Sequence, residues 1–175
     1  MNVFDTLEYL KTGDPLQQKS YGLLTEHRIF YFLSDFDPIL VGTIPIAIAI
    51  DSSDLDIGCY WKDKNAFITT LQTAFSGYQD FSCQELNTGA MNAIVANFSI
   101  DGIEIEIFGQ NIPTREQNGY QHMLIEHRIL QERGAAFREA VIALKKSGLK
   151  TEPAFAQLLQ IEGDPYLGLL EYKKA

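Results

Sequence analysis

The chain has 175 residues, of which 46% are hydrophobic and 21% are charged, proportions that are ordinary for one globular domain with a sizeable core. Its formal net charge of −9 argues against a protein that grips long DNA or RNA, because such binding depends on neutralising many phosphates. The longest apolar run, residues 44–50, is far shorter than the ~20 residues of a membrane span, so no membrane partner is expected.

The first third of the chain predicts helices. Phe4, Leu7 and Leu10 indicate a short amphipathic turn that ends at Gly13, and residues 16–33 show the apolar spacing of one longer helix. The N-terminus has early acids and lacks the basic segment of a signal peptide, so a cytoplasmic protein is expected.

An acidic strand follows this helical third. Residues 38–43 predict a strand that runs into a turn at Gly42 and Thr43, and residues 45–49 predict a short helical piece. Residues 55–61 predict a second strand, with Asp54 and Asp56 at its start. Side chains two apart on a strand share a face, so the two carboxylates can point at one place. Two anions this close repel each other unless a cation neutralises them, and hard oxygen ligands suit Mg²⁺.

A second acidic strand is predicted further along. After a helix over residues 63–76 and a strand over 81–86, residues 91–108 predict a hairpin of strands 93–100 and 103–108, joined by Asp-Gly, a strong hairpin signal. In its second strand Glu104 and Glu106 lie on the same face. Either one can complete a carboxylate triad with Asp54 and Asp56. Glu106 is favoured, although strand parity does not separate residues two apart.

The rest of the chain predicts helices over residues 113–133, 135–146 and from 151, with a short last one after 163. The expected fold class is therefore α+β, a mixed sheet of about five strands flanked by helices with a helical C-terminal third. We expect one domain over residues 1–175, with a core at 1–110 and a helical extension at 111–175 packed on it. Cys59 and Cys83 fit no zinc-binding spacing and are expected to be buried free thiols.

Each acidic motif alone has an ordinary explanation. Ser-Ser-Asp is a common turn or helix cap, and alternating Ile and Glu are typical of any half-solvated strand. Their order is more specific. The Gly-Thr turn, the gap of a dozen residues, the run Ser53-Asp54-Leu55-Asp56 and the later acidic strand together resemble the nucleotidyltransferase superfamily, with its polymerase-beta-like fold. The C-terminal segments also look like an uncharacterised bacterial group of nucleotidyltransferase-like proteins.

The resemblance implies roles for these residues. Asp54, Asp56 and Glu106 would hold Mg²⁺ or Mn²⁺, with Glu104 as the alternative third acid of the catalytic set. The Gly42-Thr43 turn and Ser53 would lie against the nucleotide phosphates. Many members carry a basic residue soon after the Gly-Ser turn, but residues 44–50 contain none. Arg115 and Lys150 are the candidates to meet the phosphate charge instead.

Two functions fit these expectations. The first is a metal-dependent nucleotidyltransferase that moves an NMP group from an NTP to a small-molecule or protein acceptor. The second is a catalytically degenerate member of the fold that binds a nucleotide or a protein without turnover. The sequence does not name the acceptor.

Overall fold

The computed structural model describes residues 2–87 and 92–172. The fold is α+β, as predicted, around one five-stranded mixed sheet with the strand order β1-β2-β5-β4-β3. Residue 91, where the predicted hairpin begins, lies outside the described residues. The strands are β1 (Ile39–Val41), β2 (Leu55–Tyr60), β3 (Gln79–Asn87), β4 (Asn92–Ile100) and β5 (Ile103–Gln110).

The two acidic strands are neighbours in the sheet. Strand β2 pairs with β5 in parallel, whereas the other neighbouring pairs are antiparallel. The β4–β5 turn is the predicted Asp-Gly hairpin, with φ of 50° at Asp101 and 76° at Gly102, the positive values that a type I′ turn requires.

Seven α-helices surround the sheet in the described part of the chain. They are α1 (Pro15–Glu26), α2 (Ile29–Phe32), α3 (Lys64–Phe75), α4 (Asn118–Arg133), α5 (Ala135–Lys146), α6 (Thr151–Leu159) and α7 (Pro165–Leu170). The predicted N-terminal turn is a pair of 3₁₀ segments, Val3–Asp5 and Glu8–Thr12. Asp14 begins α1 with a capping box, in which its carboxylate accepts from the Gln17 amide. No helix in the described part of the chain has both the length and the apolar character needed to cross a bilayer.

Three predicted helices differ from the structure. The helix expected over residues 16–33 is broken at Arg28, whose φ of 53° is left-handed. The chain changes direction there, and α1 and α2 are separate helices. The helix expected over 113–133 is interrupted by extended backbone at Gln117, whose side-chain amide donates to the carbonyls of Cys59 and Ile112, both at 2.8 Å. Residues 45–49 form an irregular turn instead of a helix, and Ala47 in that turn has a φ of 56°.

The sheet separates two cores. On one face the alternate residues of β2 and β5, such as Ile57 and Ile107, pack with Phe67 and Phe75 of α3. On the other side, residues of the N-terminal half form a second core with helices α4 to α7. The N-terminal half contributes Phe4, Ile39, Ile46 and Ile48, and the helices contribute residues that include Tyr120, Met123, Val141, Phe155 and Leu169. The residues of β2 and β5 whose side chains point away from the first core therefore face the C-terminal helices.

Both cysteines are free thiols. Cys59 is fully buried on β2, whereas Cys83 on β3 is half-buried. Burial raises the pKa of each thiol, which disfavours the reactive thiolate.

Candidate active site

Acids from β2 and β5 meet on the wall of a cavity of about 890 Å³. Asp56 is the register partner of Glu106 on the neighbouring parallel strand, and adjacent strands lie about 4.8 Å apart. Asp54, just before β2, lines the same cavity. All three side chains are half-buried. The structure therefore brings together the three acids that the sequence suggested as a metal-binding set.

Two of these acids have a raised pKa. Burial raises the pKa of Asp56 to about 8, and the charges of Asp54 and Glu106 act in the same direction. Burial and the charge of Asp54 also raise the pKa of Glu106. Such crowding is what a cation between the groups would relieve. A cluster made of carboxylate oxygens fits a hard divalent ion such as Mg²⁺.

Gly42 forms a tight contact with this cluster. It follows Val41, the register partner of Asp56 on β1, and its φ of 78° lies in the left-handed region that favours glycine. A Cβ atom at Gly42 would collide with Oδ2 of Asp56. Glycine therefore leaves room for the carboxylate in the orientation that it has here, and the turn and the acidic strand fit each other.

Two side-chain hydroxyls form hydrogen bonds across the loop that joins Gly42 to Asp54. Thr43 Oγ1 donates to Ser53 Oγ at 3.3 Å, and Ser53 Oγ accepts from the Ile50 amide at 3.0 Å. The Ser53 amide also donates to the Ile50 carbonyl at 2.9 Å. Thr43 and Ser53 both line the cavity, so the loop presents hydroxyls beside the acids.

Of the other predicted site residues, some line the cavity and others do not. Lys150 lines the cavity. Glu104, in contrast, is exposed and lines a separate surface depression, and its register partner is Ser99 of β4. Arg115 does not line the cavity, because its guanidinium pairs with the carboxylates of Asp37 at 2.8 Å and Asp5 at 3.2 Å.

Two cations that the sequence did not single out hold the turn after Gly42. Lys145 of α5 is 6% exposed, and its Nζ donates to the Ile48 carbonyl at 2.9 Å. Arg138, two turns earlier on α5, donates to the carbonyls of Ile46 and, at 3.0 Å, Ala47. Burial lowers the pKa of Lys145, and four carboxylates oppose that shift: Glu126, Glu152, Asp54 and Asp56. The lysine thus lies between two groups of acids.

The second group of acids stands on α4 and α6. Burial raises the pKa of Glu126 to about 8, with the charge of Glu152 acting in the same direction. Burial opposes ionisation of Glu152 too, but a hydrogen bond from His122 and its own backbone amide keep its pKa below the ordinary value. All three residues line the cavity. The sequence signals only the i, i+4 pair of His122 and Glu126, and nothing local links that pair to Glu152.

A family model described as a domain of unknown function, DUF4269, matches residues 22–172. The chain belongs to this family. A search of curated proteins finds no match for this DUF4269 member.

Solved structures of a poly(U) polymerase and of an RNA terminal U-transferase share the fold of the DUF4269 chain. A Cid1 poly(U) polymerase with MgGTP bound aligns with a TM-score of 0.56 and 12% identity, over 90% of this chain and 49% of the polymerase. A cytoplasmic RNA terminal U-transferase gives 0.54 and 14%, over 90% and 44%. The GLD-2/RNP-8 complex gives 0.56 and 12%, over 89% and 64%. The chain spans about half the length of the first two.

Proposed function

We propose that the chain is a metal-dependent nucleotidyltransferase that moves an NMP group from an NTP to an acceptor oxygen. The observation that carries the proposal is the pairing of Asp56 with Glu106 on parallel strands, beside a turn whose glycine leaves room for the Asp56 carboxylate. The superfamily fold adds to it, since structures of that fold with 12% identity hold MgGTP in one case and Mg 3′-dATP in another.

Each part of the site has a role in this proposal. Asp54, Asp56 and Glu106 would hold the ions, which supply charge for the phosphates and for the attacking and leaving oxygens. Glu106 would also accept the acceptor's proton. The turn at Gly42 and Thr43 would approach the triphosphate closely with its backbone, and Lys150 would add a mobile positive charge.

The acceptor that we propose is a small molecule or a protein. Among the described residues that line the cavity, the arginines and lysines are Lys145 and Lys150, whereas six acids line it: Asp54, Asp56, Glu106, Glu116, Glu126 and Glu152. A polyanionic strand would meet more repulsion than attraction on such a surface. The named neighbours include RNA terminal transferases, so RNA is the acceptor against which the proposal has to be tested.

A binding function without turnover is the second candidate. Its support is the shortage of free positive charge near the turn, because Lys145 and Arg138 are both engaged by backbone carbonyls. Calorimetry with Mg²⁺ and each NTP separates the two functions. Nucleotide binding without pyrophosphate release favours the binding module, whereas binding with release favours the enzyme.

The enzyme is tested with labelled NTPs, Mg²⁺ and a panel of acceptors that includes RNA oligomers. We expect Asp56→Asn and Glu106→Gln to lower pyrophosphate release by at least about a hundredfold, the usual effect of removing one preorganised electrostatic group. Glu104→Gln is the matched control, because it makes the same change two residues away on the same strand and outside the cavity. Loss of release in Glu104→Gln with retention in Glu106→Gln would refute the assignment. Transfer to RNA alone would refute the acceptor class.

A further inference from the structure

A second cluster of metal-ligating side chains lies on the opposite wall of the cavity. His122 and Glu126 are one turn apart on α4, and Glu152 belongs to the first turn of α6. One ligand atom from each of the three residues lies within 4.8 Å of the other two. His122 is 6% exposed and Glu126 is 3% exposed, and Glu152 is half-buried, so this is not a patch of surface acids.

The polar atoms of this cluster are incompletely paired. His122 Nδ1 and Glu152 Oε1 are 3.2 Å apart. His122 Nε2 and Glu126 Oε1 are both buried and have no hydrogen-bond partner among the described residues. A buried polar atom without a partner costs about 1–3 kcal/mol, and most such atoms in proteins are paired. Lys145 attracts Glu126 and Glu152 electrostatically, but its Nζ donates to Ile48.

The chemistry of the three ligands points to one kind of ion. An imidazole nitrogen with two carboxylates is a set that Zn²⁺, Mn²⁺ and similar ions accept, whereas Mg²⁺ prefers oxygen ligands alone. Zn²⁺ holds such ligands at about 2.0–2.2 Å, often with three from the protein and one open position. Two ligands of one tetrahedral ion are then about 3.4 Å apart, so small rotations of the two glutamate side chains would close the site.

We propose that His122, Glu126 and Glu152 form a second metal site, which binds a divalent transition-metal ion such as Zn²⁺ and ties α4 to the start of α6. The site is independent of the Asp54, Asp56 and Glu106 cluster and does not require nucleotidyl transfer. Tyr166 of α7 stacks on the His122 ring, with the ring centroids 6.2 Å apart, and this contact holds the imidazole plane in place.

The direct test is NMR of the histidine imidazole nitrogens in the full-length, chelator-treated protein. The chain has three histidines, and His122→Asn identifies the signals of His122. We expect stoichiometric Zn²⁺ to shift the His122 nitrogens strongly, with His27 and His127 as internal references. Millimolar Mg²⁺ should leave them in place. His122 signals that do not move with Zn²⁺ would overturn the proposal. If none of the three histidines of the wild-type protein responds to Zn²⁺, the proposal is overturned without any variant.

Variants then separate this site from the other one. In an Asp56→Asn background, Zn²⁺ titration by calorimetry should still show a site, and adding Glu126→Gln should weaken it by at least about tenfold, since even indirect contacts to a metal contribute that much. Glu116→Gln is the control, because it removes one exposed acid from the same cavity. Equal Zn²⁺ affinity in the Glu126 and Glu116 variants would overturn the assignment. Nucleotidyl transfer can fail without altering either result.

Discussion

Asp56→Asn should change how the stability of the metal-free protein depends on pH. Burial, with the charges of Asp54 and Glu106, raises the pKa of Asp56 from 3.8 to about 8. The unfolded chain lacks these effects, so between the two values the native state holds a proton that the unfolded state has released. The contribution of Asp56 to the free energy of unfolding is therefore fully present below the lower value and is lost as the pH rises towards about 8.

The size of this effect follows from the pKa. Each pH unit in which the two states differ by one proton changes the free energy of unfolding by about 1.4 kcal/mol. From about pH 5 to about pH 8, Asp56 alone should lower the stability of the wild type by about 4 kcal/mol. Asn does not ionise, so Asp56→Asn should lose nothing through this position. Glu126 also has a pKa raised to about 8, but it is present in both proteins and cancels in the difference.

The assay is urea unfolding in EDTA at a series of pH values. The free energies of wild type and Asp56→Asn should diverge as the pH rises, with the mutant the more stable at about pH 8. Glu104→Gln, at an exposed position of β5, should follow the wild type. Parallel curves for wild type and Asp56→Asn would mean that Asp56 is ionised without cost in the native state, and the crowded-carboxylate argument would be refuted.

Added metal should offset part of the loss of stability in the wild type. An ion that binds only the native state stabilises it by about 1.4 kcal/mol at ten times Kd, which raises the melting temperature of a chain of this size by about 3–6 °C. Mg²⁺ and Mn²⁺ should produce this rise in the wild type and a smaller one in Asp56→Asn. Equal rises in both proteins would show that the ion binds elsewhere.

Four further substitutions, one of them a control, test the surroundings of the site. Gly42→Ala and Gly102→Ala both place alanine at positive φ, and each should lower the free energy of unfolding by about 1–2 kcal/mol in thermal unfolding. Only Gly42→Ala, whose new methyl group meets the Asp56 carboxylate, should also abolish pyrophosphate release. Equal activity in the two variants would count against that contact. Lys145→Met removes a charge that lowers the pKa of Asp56. In urea unfolding the loss of stability with pH should therefore begin at the same pH as in the wild type and continue to a higher pH. An unchanged profile would contradict the electrostatic coupling. Arg115→Ala should keep its activity, and its free energy of unfolding should fall by at most about 1 kcal/mol, the contribution of an exposed ion pair. A large loss of activity would indicate that Arg115 acts in the nucleotide site.

The acidic strands could be predicted because their signal is local. Alternation of apolar and acidic residues defines which face of a strand each side chain occupies, and the Asp-Gly pair defines the hairpin turn. Local pattern fails to choose between Glu104 and Glu106, since both lie on one face. Their difference comes from the register with β2, which starts at Leu55, opposite Ile105, and so leaves Glu104 beyond the paired segment.

The second wall of the cavity could not be predicted, because its residues come together only through helix packing. Glu126 and Glu152 lie on helices separated by the whole of α5, and no period in the sequence relates the two. Lys145 is in the last turn of α5, where a lysine ordinarily caps the helix in solvent. Arg28, which breaks the first long helix, carries no glycine or proline signal that would mark the break.

The contacts of α5 with the turn after Gly42 link two distant parts of the chain. Arg138 and Lys145 hold three consecutive backbone carbonyls, from Ile46 to Ile48, so the shape of the turn depends on a helix that begins almost ninety residues later. Swapping the C-terminal helices for those of another protein would therefore also remodel the loop in the N-terminal half. Directed evolution of this protein should mutate α5 and residues 43–48 together.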